Sequence, residues 1–372
     1  LLALGCKFAL GAALSPFGWI GLAGFVVCVQ IALIFPMAWL RNAAMILAFV
    51  VLPFALFEFA LGWLESVSAH TVYQPAEAMH QKVDYLGYAP LAGAKVYAKR
   101  YYNEKLVFAV DYSINNKALR TTPANRGGSE NICLLFFGGS FTFGEGLADN
   151  QTVVNEVARL DKRSPRVYNF GFVGYGPHQM LAAIEHGIVK DITGECDEVQ
   201  VIYTGISQHI GRVAGFSIWD IHGPRYVLDQ ANNAQYTGHF DEHGFSLWRR
   251  LRLEALKSHL YALAFTPRLF GPFSQEEIDL YAAVVAAAPK ALQRVYGKRV
   301  NYQVLLWHPE FFAEDPEPFK QMLAALNSRG VQTNLIDKKV LPNTPMTSYR
   351  IDDHEQHPNA EANRLVAEYI TK

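Results

Sequence analysis

The sequence has no surplus of charge: 33 Lys and Arg stand against 34 Asp and Glu, for a net charge of −1 over 372 residues. A nucleic-acid-binding face needs a basic excess, so no nucleic-acid partner is expected. Cysteine is scarce. Its four copies, Cys6, Cys28, Cys133 and Cys196, lie far apart and none has metal-ligand spacing. All four read as free thiols, a Cys133–Cys196 bridge being the alternative, so they assign no compartment. His354 and His357 are spaced as a loop pair, not as two ligands on one helix face, and neither a metal nor a cofactor is expected. Internal repeats and low-complexity tracts are absent.

Charge is missing altogether from Phe8 to Leu40, and again from Asn42 to Phe57. A spanning helix needs about 20 mostly apolar residues. Spans are therefore expected at roughly 17–37 and 43–63, making residues 1–65 a membrane anchor that meets lipid. Ser15-Pro16 breaks the first run, so Leu1 to Leu14 would end an earlier helix or lie at the interface. A cleaved signal peptide is the competitor, but the apolar region is long and a second one follows. The chain opens on Leu, so a preceding segment is expected. Arg41 falls in the short loop between the spans, which by the positive-inside rule makes that loop cytoplasmic. Lys7 adds to or opposes this depending on what precedes it. The expectation is a multi-pass protein of the inner membrane with its soluble part periplasmic. Glu58, near the end of the second span, is either a functional intramembrane carboxylate or an interfacial one.

Residues 66–130 are polar and strand-like, with strands over Lys95–Tyr102 and Leu106–Ile114. An Asn115-Asn116 hairpin turn precedes Lys117–Thr121. This is a β-rich lead-in to residues 131–372, with Thr122–Glu130 as linker. From Asn131 strands and helices alternate. Strands are expected over Ile132–Phe137, Val167–Phe170, Glu198–Tyr203, Tyr302–Trp307 and Val331–Ile336. Helices are expected over Thr152–Leu160, Pro177–Val189, Arg249–Phe265, Gln275–Tyr296, Pro316–Ser328 and Asn359–Ile370. Such alternation predicts a parallel sheet covered on both faces. Residues 210–248 break the rhythm and read as a long inserted loop.

The stretch that organises the rest is Cys133 to Gly146, CLLFFGGSFTFGEG. An apolar strand stops at Gly138-Gly139 and presents Ser140 at its carboxyl end, where ligands of open α/β sheets bind. Alone, it is a turn that happens to hold a serine. Three other stretches stand beside it. Asn169 to Gln179, NFGFVGYGPHQ, is a strand end, a glycine-rich turn and a helix start, whose free N–H groups suit an oxyanion. Val201 to His209, VIYTGISQH, is another strand ending in a Gly turn. Ile351 to Asn363, IDDHEQHPNAEAN, supplies carboxylates, two histidines and a helix start.

In this order the four stretches resemble the blocks of the SGNH, or GDSL-type, hydrolases, over about 131–372. Gly138-Gly139-Ser140-Phe141-Thr142-Phe143-Gly144 resembles the first block, Gly174 the second and Gly205-Ile206-Ser207-Gln208 the third. His357-Pro358-Asn359 resembles the last. Tyr175-Gly176-Pro177-His178-Gln179 is similar to membrane-anchored bacterial members. The resemblance implies a three-layer α/β/α, flavodoxin-like parallel sheet and an acyl-ester chemistry. Ser140 would be the nucleophile and His357 the base, with Asp353, or next Asp352, as the acid. The N–H groups of Ser140 and Gly174 would hold the oxyanion. Ser207 stands where the family has Asn, so Ser207, Gln208 or His209 would give the third donor. His178, Gln208 and His209 could line the site. His308 reads as structural and His354 as a surface neighbour. Gly139 replaces the family's non-catalytic Asp. The family's acid lies three residues before the histidine, a position that His354 occupies here.

Three functions fit this reading. One is an esterase removing an O-acyl group, acetyl foremost, from a carbohydrate or lipid. Another is an acyltransferase for cell-surface polysaccharide, with a membrane partner donating the acyl group. The third is a non-catalytic module that keeps the fold.

Overall fold

The computed structural model describes residues 16–67, 69–125, 127, 131–242, 258–265, 271–298 and 300–372. They form two compact units. The first comprises the described residues within Leu1–His70, Tyr101–Lys105 and Gly244–Pro267, and the second those within Thr71–Arg100, Leu106–His243 and Arg268–Lys372.

In the first unit, helices Pro16–Ile34 and Ala38–Val67 pack on each other through small residues. Gly18, Gly21 and Gly24 meet Phe59, Ala55 and Val51 in turn, which runs the two helices antiparallel. Absent side chains let the backbones approach. Both helices are long and apolar enough to cross a membrane. Leu33, Ile46 and Phe49 point outward and are exposed. The second helix starts earlier than 43, because the chain leaves helix only for Phe35-Pro36-Met37. Arg41 therefore sits in the first turns of that helix and not in the connecting loop. Glu58 is fully buried. It accepts hydrogen bonds from Ser258 Oγ, from His259 N at 3.0 Å and from Leu260 N at 3.2 Å, and so anchors the start of the helix His259–Phe265. The rest of the helix expected over Arg249–Phe265, with Cys6 and residues 1–15, lies outside the described residues.

After the two helices the chain runs into β-structure. Strands β1 (Ala69–Gln74), β4 (Lys95–Tyr102) and β5 (Lys105–Ser113) form one sheet, and β2 (Gln81–Val83) and β3 (Gly87–Ala89) another. Ala118 takes a left-handed φ of +57° in the turn after Asn115, which closes a bridge between Ile114 and Arg120. Met79, Tyr88, Val96, Ala98, Phe108 and Tyr112 make a core that takes in Phe143, Phe172 and Tyr175.

The main sheet contains β6 (Ile132–Phe137), β7 (Arg166–Asn169), β8 (Glu198–Gly205), β11 (Asn301–Trp307) and β12 (Thr333–Ile336). All neighbours are parallel, in the order β12-β11-β8-β6-β7. Every residue of β6 is buried. Its alternate side chains enter different layers. Cys133, Leu135 and Phe137 pack with helices Pro177–Glu185, Gln275–Tyr296 and Glu317–Ser328. Leu134 and Phe136 pack with Val153–Leu160 and Ala360–Ile370. Burial on both faces is what made the run continuously apolar.

Three local expectations change. The helix expected over Pro177–Val189 ends at Glu185, because Gly187 turns left-handed at φ +79° and a separate helix, Ile188–Thr193, follows. Of the loop expected over residues 210–248, residues 243–248 lie outside the described residues and 210–242 are not one loop. Helix His209–Val213 opens them, and β9 (Pro224–Leu228) pairs antiparallel with β10 (Ala234–His239). Asp229 closes that hairpin by accepting from Ala231 N and Asn233 N. Finally, Cys133 and Cys196 are not free thiols but a disulfide. β6 and β8 start side by side, with Cys133 opposite Val199, which brings Cys196, two residues before β8, to the β6 cysteine. Cys28 is a buried free thiol.

Candidate active site

Numbered in chain order, the five parallel strands lie as 2-1-3-4-5, so the order reverses at β6. Crevices at the carboxyl ends of strands form at such a reversal. Ser140 stands there, three residues beyond the end of β6. Gly138 makes the turn at φ +155°, and a Cβ on it would overlap Thr142 Oγ1 and Thr204 Oγ1. Ser140 opens a single helical turn, Ser140–Phe143, which Gly144 ends at φ +83°. Ser140 is buried to 7% exposure.

The partner comes from the far end of the chain. β13 (Arg350–Asp352) and β14 (Glu355–Pro358) form an antiparallel hairpin. His357 Nε2 lies 2.7 Å from Ser140 Oγ. His357 Nδ1 bonds Glu355 Oε1, and Glu355 Oε2 pairs with the Arg100 guanidinium of β4. Alternate residues of a strand share a face, which puts Glu355 beneath His357. Asp352 and Asp353, the expected acids, are not on the imidazole. They lie at the hairpin's turn, Asp353 exposed and Asp352 Oδ1 accepting from His354 N at 3.0 Å. His354 is exposed.

Burial opposes a charge on His357, but Glu145 and Glu355 outweigh it and raise the imidazole above its ordinary value. Burial likewise opposes charge on Glu355, and the His357 and Arg100 cations override it, holding the carboxyl below its ordinary value. The constellation is thus a hydroxyl on an imidazole whose other nitrogen is held by a carboxylate, the arrangement that activates a serine.

Gly174 lies in the turn Phe172–Tyr175 at φ +81°, and Phe172 N donates to Gly138 O at 3.3 Å, tying this turn to the one that precedes Ser140. A Cβ on Gly174 would overlap Tyr88 Oη and Trp219 Nε1. The turn is held from several sides. Tyr88 Oη donates to Val173 O at 2.7 Å, Trp219 Nε1 to Gly174 O at 3.3 Å and Arg212 Nη1 to Tyr175 O at 2.6 Å.

The third block behaves differently. Ser207 is half-buried in the turn after β8. Gln208 Nε2 is committed to the Glu314 carboxylate, 2.9 Å from each oxygen. His209 Nδ1 bonds Tyr203 Oη at 2.6 Å. Its Nε2 faces Gly139: a Cβ there would lie 3.2 Å from it and 2.7 Å from Arg212 Nη1. Burial, with Arg212 and His178 nearby, pushes the His209 imidazole well below its ordinary value. His178 is buried too, with Nε2 2.8 Å from Asp220 Oδ2, which also accepts from Gln179 Nε2 at 2.6 Å. His178 thus braces the glycine-rich turn against the segment before β9. His308 caps the short helix Pro309–Phe311.

Sequence reasoning missed Glu355, Glu145, Arg100, Arg212 and Asp220. Two of them stood close to the candidates in sequence, Glu355 two residues from His357 on a strand and Glu145 five residues after Ser140. A mostly apolar cavity of about 200 Å³ lies under the second turn, lined by Phe137, Phe170, Phe172, Tyr175, Leu119 and Met180 among others. Ser140, Glu355 and His357 are not among its walls. Among the described residues, no group of three His, Cys, Asp or Glu is placed to hold a metal.

No protein-family model matches the chain, and no curated protein does. Among solved structures it is similar to a lipase from a goat rumen metagenome, at 14% identity and a TM-score of 0.34, over 64% of this chain and 95% of that one. At that distance the likeness carries no weight for function, and the site's own chemistry has to.

Proposed function

We propose that the chain is a membrane-anchored serine esterase of the SGNH type that removes O-acyl groups, acetyl foremost, from a carbohydrate. The observation that carries this reading is the 2.7 Å bond from His357 Nε2 to Ser140 Oγ, with Glu355 on Nδ1. His357 takes the Ser140 proton as Oγ attacks the ester carbonyl, and Glu355 stabilises the imidazolium that forms. The Ser140 and Gly174 N–H groups stabilise the oxyanion, each such donor being worth about 3 kcal/mol. His357 returns the proton to the departing alcohol. Water, deprotonated by the same imidazole, then frees the acyl group.

The strand order and the helices on both faces support the three-layer, flavodoxin-like architecture of that family. Trp219, 42% exposed and bonded to the Gly174 turn, favours a sugar over a lipid, since a flat indole beside the site suits a pyranose ring. The disulfide supports an oxidising compartment, hence a periplasmic soluble unit anchored by the two apolar helices. The intact Ser140–His357 bond supports an enzyme over a binding module.

The test is hydrolysis of a short-chain aryl ester by the full chain in detergent, with Ser140→Ala beside it. A fluorophosphonate probe should label the parent protein and not the variant. Equal hydrolysis by both would reject Ser140 as nucleophile. Acyl transfer to an added sugar in preference to water would move the reading to an acyltransferase.

A further inference from the structure

His357 has a second carboxylate that the triad does not account for. Glu145 Oε2 lies 3.3 Å from His357 Nε2, the nitrogen that also meets Ser140 Oγ. Glu145 is 5% exposed, and the chain is shaped to bring it there. Gly144 and Gly146 on either side take left-handed φ values of +83° and +81°, and Glu145 N donates to Ser140 O at 3.0 Å. Tyr73 Oη, from β1, donates to Glu145 Oε1 at 3.4 Å. The fully buried Arg120 side chain binds the carbonyls of Phe143, Gly144 and Leu147 and fixes the loop around the acid.

Proton placement follows from these contacts. Glu355 is an acceptor, so Nδ1 carries a hydrogen. If Nε2 then held only its lone pair, it would face a carboxylate oxygen across 3.3 Å with nothing between them. In the imidazolium, Nε2–H points at two acceptors, Ser140 Oγ and Glu145 Oε2. The pair of contacts is therefore complementary to the charged ring, the form His357 takes once the serine proton has moved.

We propose that Glu145 is a positioning residue for His357: its carboxylate accepts from the imidazolium Nε2–H and sets the pH above which Ser140 is activated. This rests on the esterase reading of Ser140. The groups facing the pair are Glu355 on β14, Arg100 on β4, Tyr73 on β1, Tyr112 on β5, Arg212 on the helix His209–Val213 and Ser140 itself. Burial and Arg100 disfavour the cation while Glu145 and Glu355 favour it, and the balance raises His357. The sign follows. The free base that activates Ser140 is lost as pH falls through the raised value, so Glu145 makes the site sluggish in acid and favours the charged intermediate once it forms.

The experiment is an NMR titration of His357 in the full chain in detergent, with ring-labelled histidine assigned through His357→Gln. In Glu145→Gln the midpoint should fall by about 1–3 pH units, the range an opposite charge in contact produces. The acid limb of kcat/KM should fall with it, and Tyr73→Phe should move both less. A midpoint unchanged in folded Glu145→Gln overturns the proposal. Fluorophosphonate labelling of the parent protein is scored separately: its absence would defeat the esterase reading, while the titration still decides whether Glu145 charges the ring.

Discussion

Replacing Glu355 by Gln is the sharpest perturbation of the proposed triad, because it keeps the shape and removes the charge. Two consequences follow from the geometry. The Gln amide can turn its NH2 toward Nδ1, which then becomes the acceptor and leaves a hydrogen on Nε2, where Ser140 needs a lone pair. The imidazolium also loses its fixed counter-charge. In a serine hydrolase with this arrangement the equivalent exchange lowers turnover about ten-thousand-fold, or about 5 kcal/mol in the barrier at roughly 1.4 kcal/mol per decade. A second effect is on stability. Glu355 is 2% exposed and its other oxygen pairs with Arg100, whose side chain is 25% exposed. Solvent can take over part of that cation, so the loss should be about 1–3 kcal/mol, below the range for a fully buried pair. The assay is kcat/KM on an aryl ester, with far-ultraviolet circular dichroism and a thermal melt to show that the variant is folded. Asp352→Asn and Asp353→Asn serve as controls and should stay within about threefold, since neither carboxylate touches the imidazole. A slow Asp353→Asn beside an active Glu355→Gln would refute the assignment.

Other outcomes follow from the same structure. Exchanging both Cys133 and Cys196 for Ser opens a loop with a sequence separation of 63, which in the chain-entropy treatment removes about 4 kcal/mol. The melt should fall by roughly 10 °C, and reductant should do the same to the parent protein but not to the variant. Arg120→Met deletes bonds to Asp149 and three carbonyls. It should cost about 3–5 kcal/mol and disorder the loop beneath Ser140, read as a lower melt and weaker fluorophosphonate labelling. Trp219→Ala should raise KM for an acetylated oligosaccharide at least tenfold while leaving a small aryl ester within about threefold; equal effects on both substrates would remove the sugar-platform argument.

The sheet was legible because burial on both faces leaves a plain mark. Ile132–Phe137 is a continuous apolar run, and Glu198–Gly205 carries Val199 and then Val201–Tyr203, with Gly at the close of each. Ser140 and His357, which the proposed mechanism joins, drew notice from local sequence, one after a strand and one before a helix. What remained hidden came from distant parts of the chain. Arg100 is on a lead-in strand, and nothing near it in sequence speaks of a carboxylate 255 positions on. Arg212 and Asp220 lie in a stretch that reads as loop, because helix His209–Val213 is too short to show a period. The disulfide was hidden for the same reason: its partners are neighbours across β6 and β8, not along the chain.

The acid was misplaced for a different reason. A spacing of three residues from carboxylate to histidine suits a turn that curls back beneath the ring. Here the histidine sits on β14, and a strand repeats its direction every two residues. The segment Asp352 to His357 offers carboxylates at three spacings, five, four and two, and pairing with β13 selects the last. Strand geometry thus predicts that placing a carboxylate three residues before His357 should not help. In a Glu355→Gln background, His354→Asp puts a carboxylate three residues before His357. It also puts it at the exposed turn of the hairpin, on the opposite side of the strand from the imidazole. Turnover should stay within about threefold of Glu355→Gln alone. Recovery to a tenth of the parent rate or better would mean that the hairpin rearranges freely around His357 and that its pairing does not choose the acid.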